Sequence, residues 1–260
     1  MSYRRQQKDS GVFVNFNPGA LWTQFIAEID DAKKKVSVAR SGAWFRGHRS
    51  GTWKLSPGLL RYPNGLAREQ TLFVEFKNRG GELLKENTKT DWDVLTQMQH
   101  YGVPTRLLDW TDRLAVALFF ALTGEDDSPC LWVLNPFLLS AKATTSAKGV
   151  VFDFGDDPDF GYSKFFSNPQ TWPFVLPVPI FPPWKFGRIG QQAGFFTVHG
   201  TDASPLDVLA PRFCAKVTIP KDLVEYGRDR LRDDGFDEFA IFRDLDSLGR
   251  SIARKYGMLR

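Results

Sequence analysis

The chain has 260 residues, of which 42% are hydrophobic, and its 34 basic and 30 acidic side chains give a formal net charge of +4. Such a chain can bury a sizeable core as one domain, and its scattered charges do not by themselves indicate nucleic-acid binding. The longest apolar run, Leu114–Leu122, has about half the length that a membrane span requires. Because the basic N-terminus is not followed by an apolar segment, we expect neither a secretory signal nor a membrane partner, and we predict a cytoplasmic protein.

Hydrophobic periodicity predicts helices and strands in mixed order. In the first half we predict a helix capped by Asn17, a strand over residues 36–45 with a turn at 41–42, and a helix over 64–84. The next helix starts at a capping box of Thr90 and Asp93 and is stopped by Gly102. An extended segment over 105–108 and a helix over 113–122, capped by Asp109 or Thr111, follow. In the second half we predict strands over 131–134, 193–198 and 213–219 and helices over 221–231 and 245–256.

This order lacks βαβ regularity and therefore predicts an α+β fold, with a mixed or antiparallel central sheet flanked by helices. We divide the chain into an N-terminal tail, residues 1–16, and a single domain, residues 17–260. Residues 141–187 have no periodicity but are rich in aromatic residues and proline. We interpret them as a long loop that packs on the domain as a functional cover.

No metal site is predicted. Cys130 and Cys214 are the only cysteines, and because neither has ligand spacing we interpret both as reduced, buried thiols. The aspartates between residues 153 and 159 miss the calcium-loop pattern, and we interpret them as a solvated acidic loop.

Three blocks place polar side chains beside apolar segments, and each contains one of the three histidines. They are Phe45-Arg46-Gly47-His48, the run Gln-His-Tyr-Gly-Val-Pro-Thr-Arg-Leu-Leu-Asp-Trp-Thr at 99–111, and the segment 188–199 that contains Gln191 and Gln192. Polar groups next to a core are either paired or used for function. These blocks are therefore the candidate functional residues.

The same blocks resemble the FRG-domain family. Phe45-Arg46-Gly47 matches the motif for which the family is named, and residues 99–111 match its long signature almost letter for letter. Residues 188–199 and 242–248 resemble two later family segments. The resemblance extends from roughly residue 20 to the C-terminus.

A shorter resemblance, an arginine followed by glycine on an early strand, is to arginine-type ADP-ribosyltransferases. It implies an ADP-ribosyltransferase-like fold in which Arg46 holds the phosphates or ribose of NAD. It also implies ADP-ribosyl transfer to a protein or nucleic-acid acceptor, or NAD hydrolysis, as in a bacterial toxin or anti-phage effector. Gly194 stands where that family places its catalytic glutamate, and Glu238 is the nearest late acidic residue.

The candidate residues fall into two groups. Catalytic candidates are Arg46, His100, Arg106, Gln192 and Glu238; ligand-binding candidates are Arg46, Gly47, Tyr101, Thr105, Asp109 and Gln191. A guanidinium binds phosphate as a fork, an imidazole transfers protons near neutral pH, and a glycine lets a ligand approach the backbone.

Structural interpretations of the same residues stay open. Arg46 is also suited to a salt bridge, and Arg106 to a buried pair with Asp109 beneath the apolar helix. His100 is also suited to a helix end, Tyr101 to the core, and Glu238 to the solvated surface.

These residues lead to competing functional hypotheses. The first is an FRG-domain enzyme that binds NAD or a related nucleotide. The second is a non-catalytic sensor module that binds a nucleotide, nucleic acid or protein. A third, nucleic-acid hydrolysis through Asp109 and the histidines, lacks a metal triad. The sequence leaves the oligomeric state open.

Overall fold

The computed structural model describes residues 17–39, 42–84, 88, 90–124, 128–145, 149–153, 160–167, 172–182 and 194–258. The proposed tail, residues 1–16, lies outside this set. The helices are α1 (Pro18–Lys35), α2 (Gly65–Arg79), α3 (Asp91–His100), α4 (Leu114–Leu122), α5 (Pro136–Ala143), α6 (Tyr162–Ser167), α7 (Leu206–Leu209), α8 (Val224–Asp233), α9 (Glu238–Phe242) and α10 (Leu245–Lys255). The strands are β1 (Trp44–His48), β2 (Leu107–Thr111), β3 (Cys130–Leu134), β4 (Val178–Ile180), β5 (Gly194–Val198) and β6 (Cys214–Thr218).

The six strands form one open sheet in the order β4-β5-β2-β1-β3-β6. Every pair of neighbouring strands is antiparallel. The α+β prediction is confirmed, and of the two sheet types predicted the antiparallel one is present. In the part of the chain that the structure describes, no helix is long and apolar enough to cross a membrane.

The apolar helix α4 lies in the main core. It contacts both β1 and α8, and Leu118 shares a buried cluster with Phe25 of α1 and Val133 of β3. Burial against several elements explains why α4 is apolar nearly all round instead of amphipathic. The approach to β1 is close, because a Cβ atom on Gly47 would lie 1.9 Å from the carbonyl oxygen of Ala117.

Helix boundaries follow local chemistry in several places. Asn17 caps α1, accepting from the Ala20 amide at 3.1 Å, and Thr90 and Asp93 form the predicted capping box. The prediction that Asp109 or Thr111 caps α4 is wrong. The N-cap position is Arg113, and the Thr111 hydroxyl accepts from the Arg113 amide instead.

Two predicted boundaries need correction. The strand predicted over residues 36–45 begins only at Trp44, because Val36 ends α1 and Ser37 has a left-handed φ of 55°. The helix predicted over residues 64–84 ends at Arg79, with Gly80 at its C-cap. Consecutive glycines are poor helix formers, which explains the earlier end.

The segment predicted as a loop, residues 141–187, contains regular structure. It includes the end of α5, helix α6 and the edge strand β4. Pro179 lies in β4, where an edge position tolerates a residue without an amide proton. Phe165 and Trp172 are buried in one cluster with residues of α3, so the described parts of this segment pack on the domain.

Both cysteines are free and buried, as predicted. Leu134 of β3 pairs with Cys214 of β6. Burial raises the pKa of Cys130 to about 11 and that of Cys214 to about 12. Both thiols therefore stay protonated and unreactive near neutral pH.

Candidate functional site

The candidate site opens where the two central strands separate. Every residue of β1 pairs with β3, but β1 pairs with β2 only at Phe45 and Thr111. Beyond that pair the Arg46 side chain fills the gap, and its Nη1 donates to the Asp109 carbonyl at 2.7 Å. The first and second polar blocks therefore meet at the centre of the sheet.

Arg46 is held from two sides. Its Nη1 also lies 3.4 Å from Oδ2 of Asp109, and its Nε donates to Nε2 of His48 at 3.0 Å. Burial, followed by the positive charges of Arg46 and Arg61, lowers the pKa of His48 to about 3. His48 is consequently a neutral acceptor that orients the guanidinium and leaves it charged.

Asp109 presents its carboxylate to the cleft. The side chain is 52% exposed, and Gln99 Nε2 donates to its Oδ2 at 2.9 Å. The Thr105 hydroxyl donates to Gln99 Oε1 at 2.6 Å and accepts from the Leu107 amide at 3.1 Å. These bonds orient the Gln99 amide so that its NH₂ group faces Asp109.

The cleft has a volume of about 520 Å³, which is in the range of small-molecule sites. Aromatic side chains form part of its wall, and we refer to it as the aromatic cleft: Trp53, Phe120, Phe196 and Phe242 line it together with Arg46, Arg49 and Asp109. Among the described residues, no group of three histidine, cysteine or acidic side chains is placed to hold a metal ion. The arrangement suits a ligand with a flat ring and polar or charged groups.

Three candidates from the first two blocks occupy different places around the cleft. Gly47 lines it, and its missing side chain is required by the backbone of α4, which packs there. His100 lines the cleft at the end of α3, with its ring centroid 4.9 Å from that of Tyr101. Tyr101 is 64% exposed and is not among the lining residues, so the interpretation of Tyr101 as a core residue is wrong.

Thr105 is a positioning residue. It is 1% exposed and does not line the cleft, and its hydroxyl is used by Gln99 and the Leu107 amide. The expectation that Thr105 offers its hydroxyl directly to a ligand is therefore replaced by an indirect role through Gln99.

Arg106 lies outside the cleft in a buried network. Its Nε donates to Glu69 Oε1 at 2.7 Å, its Nη2 pairs with Glu69 Oε2, and the Tyr162 hydroxyl donates to the same carboxylate. Burial alone would lower the pKa of Arg106, but hydrogen bonds and charge from Glu69 and Tyr162 raise it.

The interpretation that Arg106 pairs with Asp109 is wrong. Residues three apart on an extended chain point to opposite faces, although they share a face on a helix. Arg106 accordingly faces α2 and α6, whereas Asp109 faces the cleft, where it meets Gln99 and Arg46.

Of the late candidates, only Glu238 belongs to the described residues. Gln191 and Gln192 lie outside the described residues. Glu238 is not among the lining residues; it pairs with Arg250 at 2.7 Å and with Arg254 at 2.9 Å, which ties α9 to α10. Burial raises the pKa of Glu238, but the hydrogen bonds and charges of these two arginines outweigh that effect, so the pKa lies below its usual value.

Sequence reasoning missed two partners. No role was predicted for Gln99, because its contact with Asp109 depends on how α3 packs next to β2. Glu69 was missed although a signal existed: it shares the buried face of α2 with Gly65 and Phe73, and an acid at helical spacing among buried residues indicates a buried partner.

Comparison with known proteins identifies the central segment of the chain. Residues 41–129 match the FRG domain family. These residues include β1, α3, β2 and α4, and therefore Arg46, Gln99 and Asp109. No match to the chain was found among curated proteins or among solved structures.

Proposed function

Because the chain carries an FRG domain, we propose that its cleft binds NAD or a related nucleotide and cleaves the bond between nicotinamide and ribose. The single observation that carries this proposal is the contact between Arg46 and Asp109 at the split between β1 and β2. It brings a cation against a partly exposed carboxylate in a cleft of small-molecule size, which Arg49 also lines.

The chemistry follows from the charge that the reaction develops. When the bond between C1′ and the pyridinium nitrogen breaks, its electron pair leaves with neutral nicotinamide, and the ribose becomes positively charged. A preorganised carboxylate stabilises that charge. Asp109 fits this role, since Gln99 and Arg46 fix its position and half of its side chain stays accessible.

In the second step a nucleophile attacks the ribose. A water molecule or an acceptor hydroxyl attacks C1′ and loses a proton, and Asp109 is placed to take that proton. Hydrolysis gives ADP-ribose and one proton, and transfer gives an ADP-ribosylated acceptor. In this proposal Asp109, on β2, supplies the carboxylate that position 194 lacks.

Other groups of the cleft are suited to bind different parts of the ligand. Trp53 and Phe120 offer aromatic surface for the flat ring, and rings of this kind stack with aromatic side chains. Arg46 is the group for a phosphate, because its guanidinium stays charged and its contacts with His48 and Asp109 use Nε and Nη1 but not Nη2. His100 lies at the cleft wall and is suited to donate to a polar group of the ligand.

Nicotinamide release from NAD tests the proposal. Wild-type protein is expected to release nicotinamide, and Asp109→Asn to do so about 100-fold more slowly or worse with binding retained. Arg46→Lys is expected to weaken NAD binding roughly tenfold or more, because a lysine cannot keep the contacts with His48 and Asp109 while it also binds a phosphate. Asp112→Asn, an exposed acid three residues along, is the matched control and is expected to match wild type. Folded wild-type protein that neither binds nor consumes NAD would overturn the proposal.

One observation favours the second candidate function, a non-catalytic sensor. Gly194 replaces the glutamate of the ADP-ribosyltransferases that the chain resembles. A sensor binds NAD tightly without releasing nicotinamide, and Asp109→Asn then changes affinity only. The same assay therefore separates the two functions.

A further inference from the structure

A second cavity shares lining residues with the aromatic cleft. Its volume is about 320 Å³, and Arg61 and Tyr62 line it. Arg46, Gln99 and Asp109 line both cavities. The polar contact at the strand split is thus a wall that both cavities share.

Arg61 is exposed and, among the described residues, its side chain makes one hydrogen bond, through Nε. It ends a single helical turn, Leu59–Arg61, and its Nε donates to the Ser56 carbonyl at 2.9 Å. The turn is tied to the segment before β2, because the Leu59 amide donates to the Thr105 carbonyl at 2.9 Å. Within the described residues, no carboxylate pairs with Arg61.

The charges around the second cavity are unbalanced. Two guanidinium groups, those of Arg46 and Arg61, face one carboxylate, that of Asp109. Burial lowers the pKa of Arg46, Asp109 opposes this, and the positive charge of Arg61 lowers the pKa further. The two cations are therefore close enough to repel one another, and an anion between them relieves that repulsion.

We propose that the second cavity is a phosphate subsite, in which Arg61 and Arg46 hold a phosphate or diphosphate of the ligand whose ribose and ring occupy the aromatic cleft. This inference rests on the proposed function, because it assigns the anionic part of the same nucleotide. Because the described bond of Arg61 uses Nε, both of its Nη groups can donate to phosphate oxygens.

The test compares ligands with and without phosphate by calorimetric titration. Arg61→Gln is expected to weaken binding of NAD roughly 10- to 100-fold and to leave binding of nicotinamide riboside, which has no phosphate, unchanged. Arg79→Gln is the matched control, because Arg79 is an exposed arginine that pairs with Glu75. Melting temperatures of both variants are expected to match wild type, since the Arg61 side chain makes one bond to a backbone carbonyl.

The outcomes separate this inference from the proposed function. If wild type binds NAD and Arg61→Gln binds it equally well, the phosphate subsite is overturned and the proposed function stands. If wild type binds no NAD, inorganic pyrophosphate is the probe. Pyrophosphate binding that is lost in Arg61→Gln supports the subsite without the proposed function, and its absence in wild type overturns the subsite.

Discussion

Removing Glu69 is expected to destabilise the protein strongly, because it leaves Arg106 charged and unpaired in the core. The Arg106 side chain is 2% exposed and that of Glu69 5%. Breaking a buried ion pair by removing one partner costs about 3–5 kcal/mol. Tyr162 loses its acceptor in the same substitution, so the free energy of unfolding falls further.

The magnitude converts into a melting temperature. For a domain of 150–250 residues, 1 kcal/mol corresponds to about 2–4 °C, so Glu69→Leu is expected to lower the melting temperature by roughly 6–20 °C. The control is Arg79→Met, which breaks an exposed pair with Glu75 in which the arginine is 80% exposed. Exposed pairs contribute about 0–1 kcal/mol.

A double-mutant cycle isolates the pair from the loss of side-chain volume. Glu69→Leu combined with Arg106→Met removes both charges, and its cost is expected to be smaller than the sum of the two single costs by about 1–3 kcal/mol. Thermal unfolding followed by circular dichroism supplies all four values. If Glu69→Leu lowers the melting temperature no more than Arg79→Met does, or if the single costs add, the buried pair is not the stabilising unit described above.

Two further predictions concern packing and pH. Gly47→Ala is expected to lower the free energy of unfolding by at least about 1–3 kcal/mol, because the added Cβ overpacks against α4. The control is Gly249→Ala, whose Cβ meets nothing within 4 Å and which is expected to be neutral or stabilising. Equal melting temperatures of the two variants would contradict the close approach of α4. Burial and then the charge of Arg106 lower the pKa of His199 to about 3, so the unfolded state, with a histidine pKa of about 6.5, binds a proton that the folded state does not. Stability is therefore expected to fall as pH drops from about 6.5 towards 3, and His199→Leu is expected to make that fall shallower. The urea midpoints of both proteins at pH 7 and pH 5 measure the loss of stability. An equal loss in His199→Leu and wild type would count against a neutral buried His199.

Local chemistry explains which elements the sequence predicted well. The capping box at Thr90 and Asp93 and the cap at Asn17 are decided within four residues of chain, and both are confirmed. Strand β3 follows from a short apolar run that ends at Asn135-Pro136. Elements inside residues 141–187 were missed, because α6 and β4 are short and depend on packing against the rest of the domain.

For the candidate site as well, the predictions that depend on local sequence succeeded and those that depend on distant contacts failed. The sequence identified Arg46, His100 and Asp109 as polar residues beside a core, and all three line the cleft. It assigned Arg106 to the wrong partner, because a spacing of three residues means contact on a helix and separation on an extended chain. The pairing of Arg106 with Glu69 joins residues 37 positions apart, which no local pattern reports.

By itself, the sequence determined the α+β class, the FRG-domain motifs and the residues that carry charge beside the core, because composition, periodicity and motif letters are local properties. Only the tertiary structure decided which of those residues line the cleft. The split between β1 and β2 brings Arg46 against Asp109, and the turn at Leu59–Arg61 brings a second guanidinium beside them. Both arrangements depend on strand order and loop packing, where the contacts join segments far apart in the chain.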